Sequence, residues 1–189
     1  MERKRLFVAI DLSDEVRSLI SEYISRLKNV RAEGIRWESI EKIHLTLTFL
    51  GDTAAAMIPD IESILFEAAS TQDGFKIAFE GAGVFPNLRK ARVLWIGLKR
   101  NQDLDGLHAD IENRLESIGI PKRDRRFSPH LTIARIKDAR QAKPIIEQHL
   151  ASEFGPIVSP VNQITLYESK TLRSGSNYSV VGRYQLKNL

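Results

Sequence analysis

Apolar positions change period along this chain, and the changes mark its elements. Leu6-Phe7-Val8-Ala9-Ile10 is an unbroken apolar run, which predicts a central strand. Val16, Leu19, Ile20, Tyr23, Ile24 and Leu27 then follow helical spacing. Ser13 stands as an N-cap, with Asp14 and Glu15 in the first turn, so the spacing predicts a helix over 14–28. Gly34-Ile35-Arg36-Trp37 reads as a connection. Residues 42–50 alternate polar and apolar, a strand that ends at Gly51-Asp52. A second helix is predicted over about 57–69, with Pro59 in its first turn and Ile61, Ile64, Leu65 and Ala68 inward. Phe75, Ile77 and Phe79 alternate in a further strand.

Near Ala91 the order restarts. Val93-Leu94-Trp95-Ile96-Gly97-Leu98 matches Phe7-Val8-Ala9-Ile10-Asp11-Leu12 at an offset of 86. Leu104, Leu107, Ile111, Leu115 and Ile118 share a helical face, and Gly119 stops it. A basic loop from Pro121 to Phe127 leads into another alternating strand. A weaker helix near 139–150 begins at Pro144 if the proline interrupts it. Strands near 155–159, 163–168 and 178–186 close the chain, with Ser174-Gly175-Ser176-Asn177 as the turn of the last hairpin. No Gly-rich phosphate loop follows either first strand, which argues against parallel βαβ units. The expected fold is α+β, one domain over 1–189. It holds two pseudo-symmetric lobes at about 1–80 and 91–168 and a C-terminal hairpin at 163–186.

The two alternating strands contain one short phrase twice: His44-Leu45-Thr46-Leu47 and, 86 positions later, His130-Leu131-Thr132-Ile133. On ideal strands His44, Thr46 and Thr48 face one way, opposite Leu45, Leu47 and Phe49. His130, Thr132 and Ala134 repeat that parity. The chain has four histidines and seven threonines. Shuffling would put Thr two places after two of the four histidines about once in a hundred. Either phrase alone reads as an ordinary strand histidine; the pair does not. His108 and His149 lie at helical positions and read as structural.

Composition narrows the chemistry. At 189 residues, with 42% hydrophobic and 28% charged, the chain can bury a core. It has no cysteine, which excludes a disulfide framework, a thiolate metal site and a cysteine nucleophile. The basic N-terminus, Met1 to Arg5, leads into a strand pattern and not a signal peptide, and no apolar run reaches membrane-span length. A cytoplasmic protein is expected. The net charge of +4 suits an anionic partner such as RNA without requiring one.

Two imidazoles across a cleft can divide acid and base duties near neutral pH: one takes a proton from a nucleophile, the other gives one to a leaving oxygen. Threonine hydroxyls two residues on can donate to the non-bridging oxygens of a phosphate between them. Displacement at phosphorus without a covalent intermediate follows. A metal site is the competing chemistry, but two histidines supply two ligands and no carboxylate spacing completes a set.

The paired phrases resemble the HxTx motifs of the two-histidine (2H) phosphoesterases. The chain resembles in particular the RNA 2′,3′-cyclic phosphodiesterases, also called 2′-5′ RNA ligases. The likeness runs through Arg5 to Leu12, Trp37, His44 to Gly51, Phe85-Pro86, Phe127 to Arg135, Leu166-Tyr167-Glu168-Ser169 and Tyr178. It is faintest over 138–160. The resemblance implies the bilobal 2H fold, two antiparallel sheets lining a central cleft. It implies hydrolysis of an RNA terminal 2′,3′-cyclic phosphate to a 2′-phosphate with no metal and no cofactor. It also implies ATP-independent joining or cleavage of 2′-5′ linkages, with tRNA halves as one substrate.

By the same resemblance His44 is the proton donor and His130 the proton acceptor; local symmetry alone allows the reverse. Thr46, Thr132 and Arg135 would bind phosphate. Arg135 has the wrong parity on an ideal strand, so reaching the phosphate requires a bulge or a strand end. Phe7 would stack on a base, and Lys122, Arg123, Arg125 and Arg126 would meet RNA phosphates; the bland readings are a core ring and a solvated loop. A monomer without membrane association is expected. Two alternatives stay open: a 2H enzyme for a small cyclic nucleotide or ADP-ribose cyclic phosphate, and a non-catalytic RNA-binding module.

Overall fold

The helical periods in the sequence become four helices and the alternating or apolar runs become eight strands, while a ninth forms at Ile35–Trp37, where the sequence reads as a connection. The computed structural model describes residues 2–122, 126–172 and 175–187, and these elements lie within them. The strands are β1 (Arg3–Ile10), β2 (Ile35–Trp37), β3 (Leu45–Ala54), β4 (Phe75–Phe85), β5 (Val93–Leu98), β6 (Leu131–Ile136), β7 (Ile157–Val161), β8 (Gln163–Leu172) and β9 (Gly175–Gln185). The helices are α1 (Asp14–Lys28), α2 (Ile58–Thr71), α3 (Gln102–Ser117) and α4 (Lys143–Ala151). Ser13 caps α1 through its hydroxyl, as the sequence predicts, and Pro59 and Pro144 sit in the first turns of α2 and α4.

The strands form two antiparallel sheets, ordered β3-β1-β8-β9 and β2-β6-β5-β4-β7. The fold is α+β, as expected. The sheets do not follow the two halves of the chain. Strand β4 leaves the first half to pair with β5, and β8 returns from the second half to pair with β1. The helices cross too. Helix α1 packs on α4 beside β4, while α2 and α3 pack together against β8, β9 and β3. The boundaries at 80 and 91 therefore describe the sequence repeat, not the sheets. One buried core runs through both, from Val8 and Leu45 to Leu94 and Ile133.

Strand β3 does not end at Gly51-Asp52 but continues to Ala54. Gly51 takes φ 72°, a left-handed conformation that suits glycine, where Leu50 bulges out of the pairing with β1. The last hairpin also runs further than its sequence suggests. Residues 175–177, expected in the turn, belong to β9, and Ser174 is outside the described residues.

Candidate active site

The repeat becomes geometry in the pairing of each motif strand with its neighbour. Phe7, Val8, Ala9 and Ile10 face Phe49, Thr48, Thr46 and Leu45. Val93, Leu94, Trp95 and Ile96 face Arg135, Ala134, Thr132 and Leu131. Every pair in the second set stands 86 positions after its counterpart. Both ladders skip one residue at the same place, Leu47 in β3 and Ile133 in β6. A bulge there puts two successive side chains on the core side. Leu47 and Thr48 are both buried, as are Ile133 and Ala134.

The bulge overturns the simple alternation expected after each threonine. Thr48 does not share the face of His44 and Thr46; its hydroxyl donates to Glu112 of α3 in the interior. Phe49 and Arg135 move to the cleft face instead. They join His44, Thr46, His130 and Thr132 around one cavity of about 250 Å³. The cavity is smaller than the roughly 300–1,000 Å³ of pockets that enclose whole ligands.

Each histidine stands at the mouth of its strand, one residue before the ladder begins. His44 Nδ1 lies 2.8 Å from the carbonyl of Lys42, and His130 Nδ1 lies 2.7 Å from the carbonyl of Ser128. A carbonyl only accepts, so Nδ1 carries a hydrogen in both and Nε2 is the atom that exchanges a proton. The segment before His44 is pinned from below. Arg17 donates through Nη1 to the Ile40 carbonyl at 2.7 Å, and Lys42 Nζ reaches the Ser176 carbonyl of β9 at 2.9 Å.

The surroundings of the two imidazoles differ. His44 stacks on Phe7 with ring centres 4.9 Å apart, and Tyr178 meets it edge-on at 5.3 Å. Burial pushes its pKa below the ordinary histidine value. The Lys42 carbonyl and the carboxylates of Asp11 and Glu38 oppose that shift, and Arg17 adds to it. Asp11 is itself held by Thr165 at 2.8 Å and Tyr167 at 2.5 Å. His130 meets Phe85 edge-on at 4.9 Å and stands beside Trp95 at 6.4 Å. Trp95 lies flat on Gly83, where an added Cβ would come within 2.1 Å of the indole.

The other residues nominated from sequence divide. Arg135 reaches the cavity, and its Nε donates to Glu38 Oε1 at 2.9 Å. Phe7 also lines the cavity, though it is only 2% exposed and packs against His44, Phe49, Tyr167 and Tyr178. The exposed ring on that wall is Phe49, at 49%. Lys122 turns to Glu116 at 2.8 Å, and Arg126 lines a neighbouring cavity with Phe127 and His130. Arg123 and Arg125 lie outside the described residues. His108 stacks on Phe127 at 3.9 Å. His149 is fully buried, between Tyr23 and the carbonyls of Gly83 and Trp95.

Sequence reasoning passed over Phe49, Glu38, Lys42 and Arg5, all of which line the cavity. The signal for Phe49 was present, because it stands 86 residues before Arg135. Among the described residues no group of three or more His, Cys, Asp or Glu side chains converges as a metal cluster would, and no helix is long and apolar enough to cross a membrane.

Known proteins resemble the chain throughout its length. A family model described as the 2′-5′ RNA ligase superfamily matches residues 16–172. An Archaeoglobus fulgidus protein named RNA 2′,3′-cyclic phosphodiesterase is 36% identical over 152 residues, 80% of this chain and 84% of that protein. The crystal structure of TT0787 of Thermus thermophilus superposes with a TM-score of 0.84 at 26% identity, covering 97% of this chain and 98% of the other. Escherichia coli LigT complexed with 3′-AMP superposes at 0.77 and 28% identity, covering 98% and 99%.

Proposed function

Because the chain belongs to the 2′-5′ RNA ligase superfamily, we propose that it hydrolyses the 2′,3′-cyclic phosphate at the end of an RNA to a 2′-phosphate. One observation carries the reading. Two histidines with Nδ1 held by the carbonyl two residues back, each followed by a threonine on the same face, line one cavity in one repeated register. The relatives' name supplies the substrate class.

The phosphate sits between the two motifs, with the hydroxyls of Thr46 and Thr132 on its non-bridging oxygens. Arg135, oriented by Glu38, adds a charge-assisted donor. His130 takes a proton from water as it attacks phosphorus. The P–O3′ bond breaks, and His44 gives a proton to the departing 3′-oxygen. The division of roles follows the family resemblance. Burial disfavours the protonated form of His44, and an anionic phosphate entering the site favours it. Phe49, the exposed ring on the His44 wall, stacks on the terminal base.

No step calls on a metal or ATP. With a 5′-hydroxyl in place of water, the same two proton transfers run toward or away from a 2′-5′ linkage, so ends such as tRNA halves are candidate substrates. The protein acts as a monomer in the cytoplasm on this reading. The test is an assay in EDTA with an RNA oligonucleotide ending in 2′,3′-cyclic phosphate beside a cyclic mononucleotide. A 2′-phosphate on the oligonucleotide is expected. Turnover of the mononucleotide alone would favour a small-molecule enzyme, and turnover of neither would favour a binding module.

A further inference from the structure

Five cations meet in a groove at the end of the second sheet, away from the loop that the sequence nominated. Arg89, Lys90 and Arg92 come from the segment joining β4 to β5, and Lys137 and Arg140 from the segment joining β6 to α4. None of the five forms an ion pair with a described carboxylate, whereas Lys122, Arg100 and Lys143 each do. The one described carboxylate in the groove, Asp138, turns to its own backbone: Oδ1 accepts from the amides of Arg140 and Gln141 at 2.8 and 3.3 Å. The two segments are clamped together. Arg92 Nη1 donates to the Lys137 carbonyl at 3.1 Å, and the amide of Ile136 donates to the Arg92 carbonyl at 2.8 Å. Like charges held this close repel one another unless an anion lies between them.

Two stretches of chain lead from the cleft to the groove. Arg135 faces the cavity, and Lys137 stands two residues further on, about 7 Å along extended chain. Phe85 touches His130, and the next residue, Pro86, is part of the groove wall. We infer that this groove holds the backbone phosphates of the RNA chain leading away from the reacting end. The inference rests on the proposed activity for the identity of the polyanion. No aromatic side chain among the described residues lines the groove, so it takes hold of phosphates and reads no bases.

The test uses R89Q/K90Q, K137Q/R140Q and the four combined, all at exposed positions. Arg92 is left in place because it clamps the groove. KM is measured for an RNA oligonucleotide ending in 2′,3′-cyclic phosphate and for a cyclic mononucleotide, between about 50 and 200 mM salt. In the fourfold variant KM for the oligonucleotide should rise about tenfold or more at low salt. The slope of log affinity against log salt should flatten by about 3, at ~0.7 for each phosphate no longer neutralised. Mononucleotide turnover should stay at the wild-type level, which also shows that the fold is intact.

An unchanged oligonucleotide KM and slope, or equal losses on both substrates, would overturn the inference. If the wild-type protein hydrolyses neither substrate, the proposed activity fails separately. The groove is then judged by binding of the same oligonucleotide with a plain 3′-hydroxyl: weaker binding by the fourfold variant supports it, and equal binding refutes it. Loss of binding to vesicles containing phosphatidylserine, with RNA affinity retained, would assign the groove to a membrane surface instead.

Discussion

Phe49 and Arg135 occupy the same place in the two halves of the repeat, each opposite the matching residue of its neighbouring strand, Phe7 and Val93. Each reaches the cleft because the bulge at Leu47 or Ile133 reverses the strand's parity two residues before it. The same backbone device thus presents an aromatic ring on one wall and a guanidinium on the other. Their losses should differ in kind. Phe49→Ala should raise KM with little change in kcat, by roughly 5- to 100-fold if a base stacks there. Arg135→Ala should lower kcat/KM by about 10- to 100-fold, the value of one charge-assisted hydrogen bond, and Arg135→Lys should recover only part of it. Steady-state kinetics on the oligonucleotide decides both, and an unaltered KM in Phe49→Ala would remove the ring from the binding site.

The bulges also show where sequence reading stops. Helix positions and the existence of most strands were legible because burial on one face leaves a local period, as in Val16 to Leu27 of α1. Sheet partners were not. Nothing within residues 75–85 says that β4 will pair with β5 and not with β1, since a strand's partner is a non-local choice. Alternation over His44 to Phe49 gave the right face for His44 and Thr46 and the wrong one for Thr48, because one bulged residue inverts everything after it. The hairpin's outer part, with Lys170, Thr171 and Asn177 exposed, has water on it and so carries no hydrophobic pattern.

Metal independence is a second expectation. The proposed steps use imidazole Nε2 atoms, hydroxyls and a guanidinium, and none of these needs a divalent ion. Hydrolysis should survive millimolar EDTA at full rate. Loss on chelation, restored by adding back one divalent ion, would sink the two-histidine route.

The histidines also set a pH dependence of stability. Burial lowers the pKa of His149, as it does for His44 and His108. For a folded-state pKa below the unfolded value of about 6.5, the unfolded chain binds the extra proton. Stability is therefore complete above about pH 6.5 and falls as the pH drops from there through the folded pKa. His149 is fixed as the Nε2–H tautomer by the carbonyls of Gly83 and Trp95, while Nδ1 takes the hydroxyl proton of Tyr23, whose own pKa burial pushes up to about 12. Tyr23→Phe should cost about 1–3 kcal/mol by leaving a buried acceptor unpaired. His149→Gln should shrink the stability lost between pH 7.5 and 5.5, measured by urea unfolding. A difference as large as that of the wild type would mean that His149 does not titrate on unfolding.

The last expectation concerns the division of labour between His44 and His130. Both motifs face one cavity, so each imidazole should be needed by itself. Removing a general acid or base costs about 100- to 10,000-fold. His44→Ala and His130→Ala should each fall in that range or beyond it, while the double variant loses far less than the product, because the two act on one transition state. Thr46→Ala and Thr132→Ala should cost less, since each removes a phosphate-binding hydroxyl and no proton carrier. The roles separate by leaving group. With sulfur in place of the departing 3′-oxygen, little protonation is needed, so His44→Ala should be rescued and His130→Ala should stay impaired. The pH profile gives an independent reading. The lowered pKa of His44 means that, as the donor, it should make kcat/KM fall as pH rises through an apparent value below 6.5, and NMR titration of His44 should report the same value. Were His44 the acceptor, kcat/KM would rise through that value and sulfur would rescue His130→Ala instead. Near-normal activity in either single variant would leave the paired motifs without a catalytic role.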